Sequence, residues 1–568
     1  MNKQPQNRIP QFPFPPLASF DLRRARNETS PPTFEQLSGA VAGQDPFEPL
    51  DSRGPPPSEY KTVGILGGGT AGYITALTLR RLRPDLKVTV IESSKIPPIG
   101  VGEATTPEIV PYLHVLLGLD VQEFFREVRP TIKLGIRYEW GLPGDYHFNF
   151  TFDPGRPLES HLYDGHIRNV SLQSVLMSDM TTPLFWDGMQ YRSLLADYPF
   201  AYHLDNKRFI AYLNRQVTKA GVTMLDTEIR HAQVAYGACG EPEIASLTDC
   251  DGREHKFDLY IDCSGFGSFL LEKTLGSEFE SFASTLFTNR AIVGAEPLRD
   301  GPRAFTTAQT FDHGWCWNIS TMDENHIGYV YSTNFTTDEQ AELELRREKP
   351  HLGEVRGIPF RAGRHRDFWK GNVVAMGNAY GFVEPLESTG IQCLLHMNMF
   401  LVNQFPTFKA ETAIREGLNQ RVRELWDSVR WFLGAHFKFN RRRDTPFWKA
   451  YREDCDLSGA AEVLQTFRES APLVYHLKGL KQLMAFPPYG YDIMLFGQGV
   501  AARTMPPRET EAVYRRRVDS YKRLSAMGLN QQQLFQVLTT HRPDLLYEIV
   551  QRPSSWLYKY HTAVRQLA

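Results

Sequence analysis

A glycine-rich turn is the first segment whose residue types and spacing suit chemistry. Gly67, Gly69 and Gly72 follow the β-branched run 62–66 and precede a helical pattern, and Glu92 ends the next apolar run. In a βαβ unit such glycines permit a tight turn, a close approach of backbone to a pyrophosphate, and close helix packing, while the acid binds a ribose hydroxyl. The sequence therefore predicts a dinucleotide site comprising Gly67, Gly69, Thr70, Ala71, Gly72 and Glu92.

Two charged residues far apart in the chain, Lys133 and Glu387, are the candidate reactive groups. Lys133 begins the predicted strand 133–140, and strand alternation places it on the face opposite Tyr138. Desolvation lowers the pKa of a lysine and can yield an uncharged amine. The plain alternatives are a solvated lysine and an ordinary loop carboxylate.

Backbone amides and tryptophans give two further candidate features. The adjacent amides of Thr389 and Gly390 are able to form an anion nest. Trp315 and Trp317 are two residues apart, so on a strand they share a face. They serve either as core aromatics or as a wall beside a site.

The bulk composition excludes several classes of protein. The 568 residues suffice for two or more domains, and 63 Lys plus Arg nearly balance 65 Asp plus Glu, which argues against a nucleic-acid partner. Six cysteines without a CxxC motif argue against a metal site or a disulfide framework. No apolar run approaches the ~20 residues of a membrane span, and the N-terminus lacks a signal-peptide pattern. We therefore expect a cytoplasmic protein without a membrane partner.

The chain divides into three predicted regions. Residues 1–58 hold 12 of the 38 prolines and are expected to form an extended leader with little order. Residues 59–401 contain the βαβ signal and further strand patterns, which indicate the α/β class. Residues 402–568 show helical periodicity and are expected to form a mainly helical region that covers a substrate site.

Later segments resemble those of the flavin monooxygenases. Residues 258–265 and 371–379 carry this resemblance, which implies FAD rather than NAD and an FAD-binding, Rossmann-like flavin monooxygenase fold. Asn378 stands where these proteins usually have an aspartate. Segment 99–105, with Val101 and Ala104, resembles the strap that they lay over the cofactor.

Three short motifs narrow the resemblance to one family. Lys-Leu-Gly-Ile-Arg at 133–137, Trp-x-Trp-x-Ile at 315–319 and Pro-Leu-Glu-Ser-Thr-Gly at 385–390 resemble the flavin-dependent tryptophan halogenases. The resemblance implies that reduced FAD and O2 give a flavin hydroperoxide, which chloride or bromide attacks. The resulting hypohalous acid then reaches Lys133, by a hydrogen bond or as a chloramine. Glu387 would accept the ring proton or orient the lysine.

The same resemblance assigns the remaining residues of the site. It implies a β-sheet substrate region, halide held by Thr389 and Gly390, and FAD contacts at Val101, Ala104, Asn378 and Ile391. The residues implied for the substrate or the tunnel are Ser388, Trp315, Trp317 and His147.

The expected partners follow from what the sequence lacks. Segment 497–502 resembles a second dinucleotide turn, but Pro506 and Pro507 interrupt the helix that should follow. A separate NAD(P)H-dependent flavin reductase is therefore expected. The substrate is a small aromatic compound or a peptide-bound or carrier-bound tryptophan, and a homodimer stays open. The alternatives are a flavin-dependent hydroxylase of the same fold and a non-catalytic flavoprotein subunit.

Overall fold

The computed structural model describes residues 58–96, 102–153, 171–237, 240–476, 485–504 and 510–551. They belong to the unit Pro49–Ala568. Apart from Ser58, the predicted leader lies outside the described residues, and the predicted boundary at residue 401 stays a prediction. No described helix is both long enough and apolar enough to cross a membrane.

The described chain alternates strands and helices before it becomes helical. The strands are β1 Thr62–Leu66, β2 Lys87–Glu92, β3 Glu103–Ala104, β4 Thr131–Lys133, β5 Gly135–Glu139, β6 Phe148–Thr151, β7 Leu184–Trp186, β8 Tyr191–Ser193, β9 Ala201–Leu204, β10 Thr223–Asp226, β11 Ile229–Tyr236, β12 Pro242–Asp249, β13 Glu254–His255, β14 Leu259–Asp262, β15 Phe279–Ser281, β16 Arg290–Pro297, β17 Thr306–Phe311, β18 Gly314–Ser320, β19 Glu324–Tyr331, β20 Val355–Pro359, β21 Gly363–His365, β22 Trp369–Lys370, β23 Val373–Ala375 and β24 Gly381–Phe382. The α-helices are α1 Thr70–Leu82, α2 Ile109–Pro111, α3 Val121–Val128, α4 Leu172–Ser178, α5 Asn206–Lys219, α6 Asp338–Glu348, α7 Thr389–Asn403, α8 Thr412–Lys438, α9 Pro446–Asp454, α10 Ala461–Glu469, α11 Pro488–Gly497, α12 Glu511–Ser525, α13 Gln531–Gln536 and α14 Asp544–Gln551.

A six-stranded sheet carries the glycine-rich turn. Its order is β10–β2–β1–β14–β23–β22, and all neighbours pair in parallel except β22 with β23. Helix α1 connects β1 to β2, as the βαβ pattern predicts. The buried centre of β1 explains the apolar run that precedes the glycines. The predicted α/β class is confirmed.

A seven-stranded sheet, ordered β20–β16–β19–β18–β17–β5–β6, forms the second layer of the site. Strand alternation divides the residues of β18 between two faces. Cys316 joins a buried cluster that includes Ala341 and Leu345 of α6. Trp315 and Trp317 lie on the other face with ring centres 5.8 Å apart, as predicted.

The single strand predicted at 133–140 is wrong. The strand is interrupted at Leu134, so β4 and β5 belong to different sheets. Lys133 pairs with Ala201 of β9, and Gly135 pairs with Thr151 of β6. The alternation that separated Lys133 from Tyr138 therefore does not run through the break. This interruption lets both side chains reach the same loop.

From α7 onward the described chain is mainly helical, which confirms a helical C-terminal region. Helix α8 is the longest described helix at 27 residues, and it packs against α7 and α9. Segment 497–502 does not open a helix; Gly497 instead ends α11, where a Cβ would lie 2.4 Å from the Phe148 ring.

Candidate active site

A cavity of about 330 Å³ extends from the glycine-rich turn to the beginning of α7. Apolar side chains such as Phe266, Phe360 and Leu394 supply much of its wall. Many of the residues predicted for the cofactor and the tunnel line it. They are Gly69, Thr70, Ala71, Ala104, Trp317, Asn378, Ser388, Gly390 and Ile391.

Two glycines of the turn leave no room for a side chain, and a third faces the open cavity. A Cβ on Gly67 would lie 2.3 Å from the Cys263 carbonyl oxygen, and Gly67 has a φ of +128°. A Cβ on Gly72 would lie 1.9 Å from the Gly67 carbonyl oxygen. No atom lies within 4 Å of the corresponding position on Gly69, which faces the cavity. An open glycine backbone at a helix N-terminus fits the pyrophosphate of a bound FAD.

Two other predicted cofactor residues lie away from this wall. The Glu92 carboxylate accepts a hydrogen bond from the Tyr73 hydroxyl, and Asn214 Nδ2 donates to its Oε1 at 3.3 Å. Its contact with a ribose stays a prediction. Val101 lies outside the described residues.

Lys133 is fully buried among neutral hydrogen-bond partners. Its Nζ donates to the Thr105 carbonyl oxygen at 2.9 Å and to Ser388 Oγ at 2.8 Å. The Phe152 ring centre lies 5.3 Å away. Burial lowers the pKa of Lys133 to about 7, and the charge of Glu387 opposes that shift. The amine can therefore lose its proton near neutral pH.

Glu387 is only 3% exposed and receives two side chains on one oxygen. The Tyr138 hydroxyl donates to Oε1 at 2.5 Å, and His436 Nε2 of α8 lies 2.8 Å from the same atom. His436 Nε2 is close to Oε1 but is not aligned for a hydrogen bond, so the contact is electrostatic. No described residue donates to Oε2, which leaves that oxygen for a substrate.

Ser388 connects the two reactive groups, because its hydroxyl accepts from Lys133 and its backbone follows Glu387. No direct ion pair joins the lysine and the glutamate. Ser388 has φ 60° and ψ 33°, the left-handed region that side chains rarely adopt. The local backbone is therefore strained where the loop enters α7.

We expect Ser388→Gly and Ser388→Ala to separate this strain from the hydroxyl contact. Both variants remove the acceptor of Lys133 and should slow the reaction expected at this lysine by about tenfold. Ser388→Gly should be more stable than Ser388→Ala by about 1 kcal/mol, because only glycine adopts this φ freely. Steady-state rates and urea unfolding would measure the two effects. Equal stabilities of the two variants would contradict a strained Ser388.

The two residues predicted to hold an anion lie at the N-terminus of α7. Thr389 and Gly390 are the first two residues of this 15-residue helix, whose N-cap makes no side-chain hydrogen bond. Gly390 lines the cavity, and the buried Thr389 Oγ1 has no described hydrogen-bond partner. Free amides and the helix dipole favour an anion such as a halide here.

Trp315 contacts the loop 384–390, and its neighbour Trp317 lines the cavity. Trp315 Nε1 donates to Oε2 of Glu384 at 2.6 Å, and the Thr288 hydroxyl donates to Oε1 at 2.7 Å. Burial raises the pKa of Glu384 to about 7. Trp317 lines the cavity directly, whereas Trp315 stands behind it.

Gly328 of β19 controls the position of Trp317. A Cβ on Gly328 would lie 1.9 Å from Cζ2 of that indole. We expect Gly328→Ala to displace the ring into the cavity and weaken FAD binding by about tenfold or more, the effect of overpacking by 1–3 kcal/mol. Quenching of flavin fluorescence would measure the affinity.

Gly357→Ala is the matched control for this substitution. Gly357 lies in β20 of the same sheet, and nothing lies within 4 Å of its Cβ position. This variant should bind FAD normally. An unchanged affinity in Gly328→Ala would show that Trp317 does not limit the cavity.

His147 precedes β6 and is not among the described hydrogen-bond or ion-pair partners of Lys133 and Glu387. Phe148 instead stacks on Tyr138 with ring centres 5.1 Å apart. Its substrate role stays a prediction.

Sequence reasoning missed Tyr138, His436 and Glu384 as parts of the site. Tyr138 lies in the predicted strand 133–140, but in one continuous strand it would lie on the face opposite Lys133. His436 lies in the predicted helical pattern, where nothing distinguishes it from a core histidine. Glu384 directly precedes the Pro-Leu-Glu-Ser-Thr-Gly motif, and this position is the one sequence feature that could have marked it as part of the site.

Comparison with known proteins agrees with this geometry. The model of the family described as tryptophan halogenase matches residues 62–513. The chain belongs to the tryptophan halogenase family. Tryptophan 7-halogenase RebH from Lentzea aerocolonigenes is 30% identical over 439 residues, which are 71% of this chain and 81% of that protein.

Solved tryptophan halogenase structures share the fold. The structure of MibH, described as a lathipeptide tryptophan 5-halogenase, is 39% identical with a TM-score of 0.82 and covers 88% of this chain and 97% of that one. Tar14, a tryptophan C-6 flavin-dependent halogenase from taromycin biosynthesis, is 29% identical with a TM-score of 0.76, over 84% and 99% of the two chains.

Membership establishes the class of reaction. The chain is a flavin-dependent halogenase that acts on a tryptophan-like aromatic substrate, with FAD, O2 and a halide as the family's cofactor and co-substrates. The fold of the tryptophan halogenases also confirms the predicted FAD-binding architecture.

Proposed function

We propose that this enzyme halogenates the indole of a tryptophan carried in a peptide. The observation that supports halogenation is the burial of Lys133 and Glu387 around Ser388, which also lines the flavin cavity. The peptide substrate is supported by the 39% identity and 97% coverage of the lathipeptide halogenase MibH, against 30% identity to RebH.

FAD would be held by the glycine-rich turn, Ala104, Asn378 and Ile391. Their arrangement around one cavity supports this assignment, and Glu92 and Val101 complete the proposed set. Reduced FAD and O2 supply the oxidising equivalent that converts a halide to hypohalous acid. The remaining steps depend on side chains of this chain.

The loop 384–390 would handle the halide and the oxidised halogen in turn. The amides of Thr389 and Gly390 would hold chloride or bromide beside the cavity that Gly390 lines. Lys133, which contacts Ser388, would receive the hypohalous acid, either by donating a hydrogen bond or by attacking as an uncharged amine. Because the acceptor Ser388 is next to the anion site, the path between the two is short.

Glu387 would act on the ring after the halogen has added. Its Oε1 is held by Tyr138 and His436, which supports Oε2 as the acceptor of the ring proton. Trp315 and Trp317 would keep the substrate away from the flavin. Their contacts with Glu384 and the cavity support this role.

A separate NAD(P)H-dependent flavin reductase would supply the reduced cofactor. The glycine segment at 497 ends a helix rather than opening one, so it offers no dinucleotide turn in the described chain. Purified enzyme should therefore depend on an added reductase. Activity with NADH and FAD alone would contradict this part of the proposal.

The two rival functions predict different products. A hydroxylase of this fold would transfer oxygen directly, and it would need neither a buried lysine nor a carboxylate beside it. A non-catalytic flavoprotein would make no product. The buried pair supports a halogenase over both.

The deciding experiment supplies FAD, a flavin reductase, NADH and bromide together with one of three substrates. The substrates are a set of tryptophan-containing peptides, free tryptophan, and the same peptides with phenylalanine in place of tryptophan. We expect the bromine isotope pair in the mass spectra of the tryptophan peptides only. Bromination of free tryptophan alone would contradict the peptide substrate, and a gain of one oxygen would support the hydroxylase.

A further inference from the structure

Two basic side chains are buried near the Glu387 carboxylate. Lys133 comes from β4 and His436 from α8, and all three residues are at most 3% exposed. Burying an unpaired charge is costly, whereas one carboxylate requires only one cation. The geometry must therefore decide which basic group carries the compensating charge.

His436 is the basic group in direct contact with Glu387. Its Nε2 lies 2.8 Å from Oε1, a separation at which a positive ring is strongly favoured beside a carboxylate. Its Nδ1 lies 3.0 Å from the Phe432 carbonyl oxygen, which only accepts, so Nδ1 carries a proton. A second proton on Nε2 makes the ring an imidazolium.

The surroundings of Lys133 match an uncharged amine. A neutral amine has two N–H groups. Among the described residues, Lys133 Nζ donates to two acceptors, the Thr105 carbonyl oxygen and Ser388 Oγ. An ammonium would have a third N–H with only the Phe152 ring nearby, 5.3 Å away. Both acceptors are neutral, so neither compensates a charge on the lysine.

We propose that His436 is the positioning residue that pairs as a cation with Glu387, and that this pairing frees Lys133 to lose its proton. The inference rests on the site of the proposed function, but it concerns the charge of the lysine rather than the product. It selects between the two roles left open for Lys133.

An uncharged Lys133 has a lone pair that can take the halogen. The nitrogen attacks the halogen of hypohalous acid, an N–halogen bond forms and the O–halogen bond breaks. The departing hydroxide takes one proton from the nitrogen and leaves as water. Atoms and charges balance, and the halogen keeps its oxidation level for transfer to the ring.

Other titratable groups face the pair from neighbouring elements. Tyr138 from β5 donates to Oε1, and burial together with Glu387 raises its pKa well above the usual value. Tyr491 from α11 packs against Phe432, one turn before His436 in α8, and burial also raises its pKa. Both phenols therefore stay neutral near pH 7.

Two further groups lie on β9 and in the loop. His203 of β9, the strand that pairs with β4, is buried, and burial together with the charge of Lys133 lowers its pKa well below the usual value, so it carries no charge. Glu384, whose pKa burial raises to about 7, has its own donors in Thr288 and Trp315 and makes no hydrogen bond with Lys133 or His436. The groups that compensate Glu387 are therefore His436 and Lys133.

The test is an NMR titration of lysine 13Cε and 15Nζ resonances across pH, on the full chain saturated with oxidised FAD, which reports a buried amine without a reagent having to reach it. The Lys133 resonance is identified by its loss in Lys133→Met. The expected pKa of Lys133 is about 7 in the wild type. In His436→Gln, Lys133 becomes the basic group left to compensate Glu387, so its titration midpoint should move up by about one pH unit or more.

A double variant distinguishes this charge effect from a loosened structure. Adding Glu387→Gln to His436→Gln removes the unpaired carboxylate, so the pKa of Lys133 should return to the wild-type value or below. Entry of water would raise the pKa in both variants alike. A rise that persists in the double variant, or no rise in His436→Gln, would overturn the proposal.

His114→Gln provides the matched control. His114 is also a buried histidine with Nδ1 at 2.9 Å from a backbone carbonyl oxygen, that of Leu119, but it contacts Tyr202 rather than a carboxylate. We expect no shift of the Lys133 pKa in this variant. A shift equal to that of His436→Gln would overturn the specific pairing. Because the NMR titration detects no halogenated product, it can fail or succeed independently of the proposed function.

Discussion

Replacing Lys133 with methionine is expected to abolish halogenation, by about a thousandfold, while raising the stability of the protein. The loss follows because the amine is the group proposed to receive the oxidised halogen, and such groups contribute about 10²–10⁴ in rate. The gain follows because methionine fills the same space without a desolvated amine. Product formation by mass spectrometry and Tm would measure both effects.

The sign of the pH dependence gives this prediction a second test. The pKa of Lys133 falls from 10.5 to about 7 on folding, so between these values the unfolded state binds more protons. Wild-type stability therefore rises with pH across this window. The stability advantage of Lys133→Met should be largest near pH 6 and should shrink toward pH 10.

Lys349→Met is the control for loss of a lysine. Lys349 also donates to a neutral acceptor, Gln309 Oε1 at 3.0 Å, but it lies outside the loop around Ser388. It should retain its halogenation rate. Normal product formation by Lys133→Met would contradict the assigned role of the amine.

Replacing Glu387 with glutamine is expected to lower the halogenation rate by about a hundredfold with FAD binding intact. The amide keeps the shape of the side chain but is a poor acceptor for the ring proton. Loss of that proton should then limit the rate. A substrate deuterated on the ring should therefore show an isotope effect in Glu387→Gln that the wild type lacks.

Glu344→Gln offers a closely matched control. Glu344 of α6 is buried, and its Oε2 contacts Tyr329 at 2.7 Å and His313 at 3.2 Å, so it repeats the partners of Glu387 in a different place. This variant should lose stability but keep its rate. Equal losses of activity in the two variants would mean that Glu387 serves the fold rather than the reaction.

The cofactor half of the fold was accessible from sequence because its signals are local. The glycine turn, β1 and β2 lie within one βαβ unit of about 30 residues, β1 has the predicted bounds, and β2 ends at Glu92 as predicted. The common face of Trp315 and Trp317 likewise follows from alternation within one strand. Short-range geometry is the part of structure that a pattern of residues encodes directly.

The arrangement around Glu387 was not accessible in the same way. Leu134 is buried and apolar like Ile132 and Ile136, so its residue type does not mark the interruption that separates β4 from β5. The contacts of Glu387 with Tyr138 and His436 join three segments that are distant in sequence. Only tertiary packing decides which of many buried tyrosines and histidines meets the carboxylate.

The adjacency of Glu387, Ser388 and Thr389 has a consequence for how such enzymes diversify. Consecutive Cα atoms are about 3.8 Å apart, so covalent bonds alone fix the spacing between the proposed proton acceptor, the partner of the amine and the proposed anion site. An insertion or deletion in this tripeptide would disturb all three at once. We therefore expect a change of acceptor molecule to require substitutions outside the tripeptide.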